Sequence, residues 1–168
     1  MHFAVGTGSG QPEGIVTGLT LGVTSAANGA IGYDDLVDLE HSIDPAYRQS
    51  GNLRYVTHDT FVRATRKIKD TTGRPLWAPS IAVGQPSTIN GYPYTVDNGL
   101  AAVSNGSKSV VFGDIRAAYV VREVRGAQTM RLTERYADFL QVGFLGFQRL
   151  DGQVQDTSAA AVLTTKAA

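Results

Sequence analysis

Among the side chains able to do acid–base or metal chemistry in this 168-residue chain are its three histidines, His2, His41 and His58, and the carboxylates crowded at Asp34, Asp35, Asp38 and Glu40. His41 follows Glu40 and His58 precedes Asp59, but no two histidines stand four apart, the spacing that aims two imidazoles at one metal. A histidine beside an aspartate at a helix start reads as a capping neighbour. The four carboxylates read as the solvated face of one helix. The stretch Gly6-Thr7-Gly8-Ser9-Gly10 brushes against phosphate-loop and dinucleotide patterns. A phosphate loop needs a Lys to reach the phosphates, yet the first Lys is Lys67, and a dinucleotide loop needs a strand where only Met1 to Val5 precede. No Gly-x-Ser-x-Gly elbow occurs. With no Cys, thiolate chemistry and disulfides are excluded. Catalytic, cofactor-binding and metal-ligating residues are therefore expected to be none.

Other side chains suit contact rather than catalysis. Arg63, Arg66, Lys67, Lys69 and Arg74 form a basic cluster fit for nucleic acid or for salt bridges to an adjacent subunit. Only Phe61 lies nearby, so single-strand stacking is not expected. Trp77, the one Trp, sits between Pro75 and Pro79 and suits an interface anchor.

The elements that must position these residues follow from periodicity. Residues 1–30, rich in Gly, Thr and Ser, read as an extended lead-in with a short strand at Gly14 to Leu19. Leu36, Leu39, Ile43 and Tyr47 recur at helical steps. Asp34 and Asp35 suit that helix's N-terminus, and Asp44-Pro45 should break or restart it. A strand is expected at 53–56 and a helix at 58–69 burying Phe61, Ala64 and Ile68. After the Gly73-Arg74-Pro75 turn the chain reads as β-rich, with strands at 92–96, 109–112, 118–124, 129–136, 139–150 and 159–165. Met130, Leu132, Glu134 and Tyr136 alternate with Arg131, Thr133 and Arg135, a strand with unlike faces.

Charge is balanced, 15 basic against 15 acidic residues, so no overall field draws the chain to nucleic acid or an anionic membrane. No apolar run reaches the roughly 18 residues of a membrane span, and the first residues lack the pattern of a secretory signal. An apolar share of 42% describes a globular chain. The low charged share of 18% and 19 glycines fit a β-rich protein that hides surface against neighbours.

Several motifs in a fixed order carry a resemblance. They are Gly10-Gln11-Pro12-Glu13-Gly14-Ile15, Leu76-Trp77-Ala78-Pro79, Thr88-Ile89-Asn90-Gly91-Tyr92-Pro93, Gly113-Asp114 and the stretch Met130 to Leu163. Together they resemble the C-terminal portion of the major capsid proteins of tailed phages with the HK97-type fold. The resemblance implies an α+β chain: a lead-in after a spine helix (1–30), an axial domain of mixed sheet with two flanking helices (31–125), and long peripheral-domain strands (126–168). It implies a structural, non-enzymatic protein that self-associates into pentamers and hexamers around DNA, assembled in a host cytoplasm and ending in a virion. Scaffold, protease and portal partners are implied; a membrane or a specific nucleic-acid sequence is not. Alternatives are an encapsulin-like compartment subunit and a small α+β enzyme with a phosphate-binding Gly-rich loop. The chain would be a partial one, its long strands lacking a cover within it. Edges and apolar residues there would be exposed. Trp77, Arg63, Arg66, Lys67, Phe139, Phe144 and Phe147 are then the candidate subunit-interface residues. In relatives that crosslink through a Lys–Asn bond aided by a Glu, the alignment places Val142 and Arg149 at the Asn and Glu positions, so no such bond is expected.

Overall fold

The computed structural model describes residues 2–76 and 88–168. In chain order these form α1 (His2–Val5), α2 (Ile15–Gly18), β1 (Gly22–Asn28), α3 (Tyr33–His41), α4 (Pro45–Arg48), β2 (Arg54–Thr57) and α5 (Asp59–Arg66). There follow β3 (Thr88–Ile89), β4 (Tyr92–Val96), β5 (Lys108–Gly113), α6 (Ile115–Ala118), β6 (Tyr119–Leu132), β7 (Gly143–Val154) and β8 (Ala160–Lys166). Among the described residues, six strands make a mixed sheet ordered β1-β8-β5-β2-β4-β3, and β6 and β7 make a separate ribbon.

The sheet forms where the sequence stops alternating. Ser109-Val110-Val111-Phe112 in β5 and Ala160 to Leu163 in β8 are continuous buried runs, the pattern of strands covered on both faces. Val110 and Phe112 pack with Leu36, Leu39 and Phe61, so α3 and α5 cover one face. Val111, Ala160 and Val162 pack with Ala4, Ile15 and Val16, so the lead-in covers the other.

That second layer corrects the expectation of an extended lead-in. Residues 14–19, expected as a strand, contain the helix α2, because Ile15, Val16 and Leu19 make one buried helical stripe. Gly14 lets the layer close: a Cβ there would lie 2.4 Å from the Gly6 nitrogen. The other helices follow the sequence more closely. Pro45 restarts the chain as α4, with Asp44 accepting from the Ala46 amide at 2.7 Å. His58 caps α5, its Nδ1 accepting from the Thr60 amide at 3.1 Å. The helix expected over 58–69 ends at Arg66; within α5, Phe61, Val62 and Thr65 are buried and Ala64 is half-buried, and Ile68, just past its end, is half-buried too.

Two of the four carboxylates read as a solvated face turn inward. Asp35, 5% exposed, accepts from the Ala26 amide of β1 at 2.9 Å and from the Gly32 amide at 2.7 Å, fastening the edge strand to the start of α3. Glu40 accepts from the buried Tyr55 hydroxyl at 2.5 Å and from Asn90 Nδ2 at 2.9 Å. Burial, reinforced by that bond, pushes the Tyr55 phenol far above its ordinary pKa. The Asn90-Gly91 turn, both residues at positive φ as a tight hairpin requires, is thereby held against α3. Asp35→Ala should cost about 1–3 kcal/mol in chemical denaturation, because two backbone amides lose an ionised acceptor. The exposed Asp34→Ala should stay within about 0.5 kcal/mol. Equal effects of the two would remove Asp35 from this role.

Gly113 ends β5 at φ +149°, where a Cβ would lie 2.4 Å from the Ala159 carbonyl oxygen. Asp114 then caps α6 through the Arg116 and Ala117 amides at 3.1 and 3.2 Å. From α6 the chain leaves the sheet along β6 and returns along β7. The expected strands at 118–124 and 129–136 are one 14-residue strand, its register broken between Val124 and Gln128 where Gly126 takes φ +64°. This is a bulge, which twists a strand without ending it. The strand expected from Phe139 begins at Gly143, after a single 3₁₀ turn at Ala137–Phe139. Residues 160–166 rejoin the six-stranded sheet between β1 and β5.

Candidate assembly surface

The ribbon of β6 and β7 is an arm of 14 and 12 residues. A two-stranded ribbon is at best marginally stable in water, so its base must be braced. The Gly10-Gln11-Pro12-Glu13-Gly14 motif does this. The Glu13 amide donates to the Gly152 carbonyl at 2.9 Å, and the Tyr119 hydroxyl donates to the Glu13 carbonyl. The Phe3 ring meets Tyr119 edge-on at 6.4 Å. Gly152 is needed because a Cβ would lie 2.8 Å from the Phe3 ring.

Beyond the base the arm has no cover among the described residues. Directly opposed residues share a face. Met130 faces Leu145, Gln128 faces Phe147 and Leu132 faces Gly143, giving one face an apolar outer half. Phe144, opposite Arg131, lies on the reverse face. Phe144 is 72% exposed, Phe147 42% and Leu145 49%. At the apex Phe139 is 73% and Leu140 97% exposed, Leu140 at φ +53°. Nearer the base, Arg122 faces Asp151, a cross-strand pair of opposite charge. The arm thus offers two open edges and apolar side chains on both faces.

The sequence-selected residues fall into two places. Phe139, Phe144 and Phe147 ride on the arm, whose base packs on the sheet face covered by α1 and α2. Arg63, Arg66 and Lys67 are exposed on α5, which packs on the opposite face. The fold therefore does not unite them in one patch. Trp77 and most of its Leu76-Trp77-Ala78-Pro79 motif lie outside the described residues. The segment between β4 and β5 is tied to α5, the Val103 amide donating to Thr60 Oγ1 at 2.9 Å. Leu140 lacked a signal, because it stands outside the alternating pattern of either strand.

Two of the three histidines have structural partners. His58 caps a helix, and His41 Nδ1 sits 2.9 Å from Arg48 Nη1, which can only donate. The Gly-rich start follows a helical turn, not a strand, and closes on itself through the Gly14 amide and the Gly6 carbonyl at 2.9 Å. An apolar cleft of about 250 Å³ is lined by Phe3, Ile15, Val56, Leu100, Ile115 and Tyr119 among others. Its one carboxylate, Asp97, accepts from the Gly99 amide at 2.8 Å.

Asp156 sits where the arm re-enters the sheet. It accepts from the Ser158 hydroxyl at 2.5 Å, from the Tyr47 hydroxyl of α4, and from the Ser158 amide at 2.8 Å. These donors, Ser158 first, hold its pKa at about 2, below the ordinary 3.8. A depressed folded-state pKa contributes stability that is full above about pH 4 and lost as pH falls toward about 2. The stability difference between wild type and Asp156→Asn should therefore shrink over that window. Denaturation midpoints at several pH values check this, and a constant difference would contradict it.

A family model described as the phage capsid family matches residues 1–165. Among solved structures, the chain is similar to one described as the capsid of an empty GTA particle computed with C5 symmetry. The TM-score is 0.84 at 28% identity, over 99% of this chain and 60% of that one. A structure from Gordonia phage Cozz gives a TM-score of 0.59 at 16% identity, over 98% of this chain and 55% of that one. The holo-SrpI encapsulin complex from Synechococcus elongatus PCC 7942 gives 0.59 at 18%, over 90% of this chain and 56% of that one. The last two share the fold alone at such identities. The chain spans about three fifths of the length of the GTA capsid chain it matches. No curated protein sequence matches it.

Proposed function

Because this chain belongs to the phage capsid family, we propose that it is a structural subunit of an icosahedral phage or prophage shell around DNA, gathered into pentamers and hexamers. The observation that carries this reading is the arm. A ribbon with open edges and apolar residues on both faces is an aggregation hazard in a free monomer and a contact surface in an assembly. The expected division into an axial part at 31–125 and peripheral strands at 126–168 is redrawn by strand pairing: β8 (Ala160–Lys166) lies in the mixed sheet with the axial elements, and the ribbon of β6 and β7 is the peripheral part. Ring contacts join unlike patches head to tail and close by rotation. Trp77, Arg63, Arg66, Lys67, Phe139, Phe144 and Phe147 are the contact residues. Scaffold, protease and portal proteins would meet the assembled shell in the host cytoplasm. The encapsulin likeness, at 18% identity, does not favour a cargo compartment over a phage shell.

Native mass measurement with negative-stain imaging of the 168-residue chain tests the reading. Rings, tubes or shells are expected at micromolar concentration. A monodisperse monomer that stays soluble at every concentration would overturn it.

A further inference from the structure

The second inference rests on the shell reading and concerns which surfaces meet in the ring. Although net charge is zero, charge is not evenly spread over the helices that cover the first sheet face. On α3, Asp34 and Asp38 stand four apart, both exposed. On α5, Arg63, Arg66 and Lys67 stand three and four apart, all exposed. Like charges at these spacings are helical neighbours and repel by about 0.2–0.5 kcal/mol per pair. Asp34 suits a helix start and Arg66 a helix end. Asp38, past the first turn of α3, has no such explanation. Among the described residues, no ion pair within the chain involves Asp34, Asp38, Arg63 or Lys67.

The start of α3 is fastened to the edge strand β1 by Asp35, and its end reaches β2, the strand that α5 follows, where Glu40 accepts from the Tyr55 hydroxyl, so both ridges lie on one face of the sheet. An acidic ridge on one copy is complementary in charge to the basic ridge of another, and the shell reading requires that they meet head to tail, the contact that closes a ring.

We infer that the acidic ridge of α3, Asp34 and Asp38, docks on the basic ridge of α5, Arg63 and Lys67, of a second copy of this chain. The contact sets register and speeds encounter, as charge complementarity does at interfaces. It weakens with salt, because the ridges are exposed and the screening length falls from about 10 Å at 0.1 M to about 3 Å at 1 M.

The test is reciprocal charge reversal in the full chain, read by sedimentation velocity at about 0.1 M and about 1 M salt. Circular dichroism checks that each variant is folded. Wild type should associate at the lower salt and less at the higher. Arg63→Glu with Lys67→Glu, and separately Asp34→Lys with Asp38→Lys, should each weaken association at least about tenfold. All four changes in one chain should restore it. If a reversal variant fails to fold, the neutral pair Asp38→Asn and Lys67→Gln should still remove the salt dependence. Rings that form in wild type and in both reversal variants alike would overturn the inference and leave the shell reading standing. A quadruple variant that folds but does not recover would also overturn it, as would basic reversals that lower only the retention of duplex DNA. Wild type that stays monomeric at both salts would overturn both.

Discussion

Phe112→Ala should remove about 3–5 kcal/mol of stability, the range for truncating a fully buried aromatic residue. Phe112 is 0% exposed and stands directly opposite Tyr55 in the β2–β5 ladder. Its ring lies 4.4 Å from that of Tyr55 and 5.0 Å from that of Tyr92, centroid to centroid. Loss of the ring leaves a cavity that three strands and α3 share, and a sheet cannot collapse to fill it without breaking register. A domain of this size is stable by about 5–15 kcal/mol, so the variant should sit near the edge of folding at room temperature. Phe112→Leu, which retains most of the apolar volume, should cost much less. The comparison is made by chemical denaturation at low protein concentration, where association does not contribute. A loss under about 1 kcal/mol for the Ala variant would mean that this cluster does not hold the sheet together.

How much of this was legible in the sequence depended on what sets each element. The helix from Leu36 and the strand Tyr92–Val96 are fixed by local periodicity and by turn residues, Asp44-Pro45 and Asn90-Gly91, so they could be read directly. The lead-in could not. Its helix α2 has only four residues and gains its stability from packing on Val111 and Val162, more than ninety residues away. The continuous apolar runs of β5 and β8 did carry the clue, since a strand buried on both faces needs a second layer. Asp35 and Glu40 were misjudged for a related reason. Their partners, the Ala26 amide and the Tyr55 and Asn90 side chains, come from other elements, and an isolated helix gives no sign that a carboxylate faces inward. On the arm, alternation at Met130 and Leu132 marked the apolar face. The bulge at Gly126 was hidden, because a glycine that twists a strand and a glycine that ends one look alike in one dimension. The cross-links at the base of the arm show the opposite case. Gly10-Gln11-Pro12-Glu13-Gly14 stood out as a motif, but its task, bracing Tyr119 and Gly152, became visible only in three dimensions.

Phe144→Asp with Phe147→Asp should abolish self-association while leaving the fold of the monomer near wild type. Each side chain, on burial, contributes about 1.5–3 kcal/mol. The pair therefore amounts to about 3–6 kcal/mol per subunit, or roughly 10²–10⁴ in a dissociation constant. Two carboxylates that would have to be desolvated at the contact add to the penalty. The monomer should tolerate the change because neither ring belongs to a core cluster and both already meet water. The two positions are not equivalent, however. Phe147 shares its face with Met130 and Leu145, whereas Phe144 lies on the reverse face opposite Arg131. The single variants therefore report which face of the arm is covered in the assembly. If only Phe147→Asp blocks association, one apolar face does the packing and Phe144 projects into a groove or into solvent. If each alone blocks it, the ribbon is sandwiched between two partners, as its pair of open edges would allow. Sedimentation and native mass measurements separate these outcomes. If all three variants associate as wild type does, contact energy must come from elsewhere, and an arm this apolar would be left without a physical reason to exist.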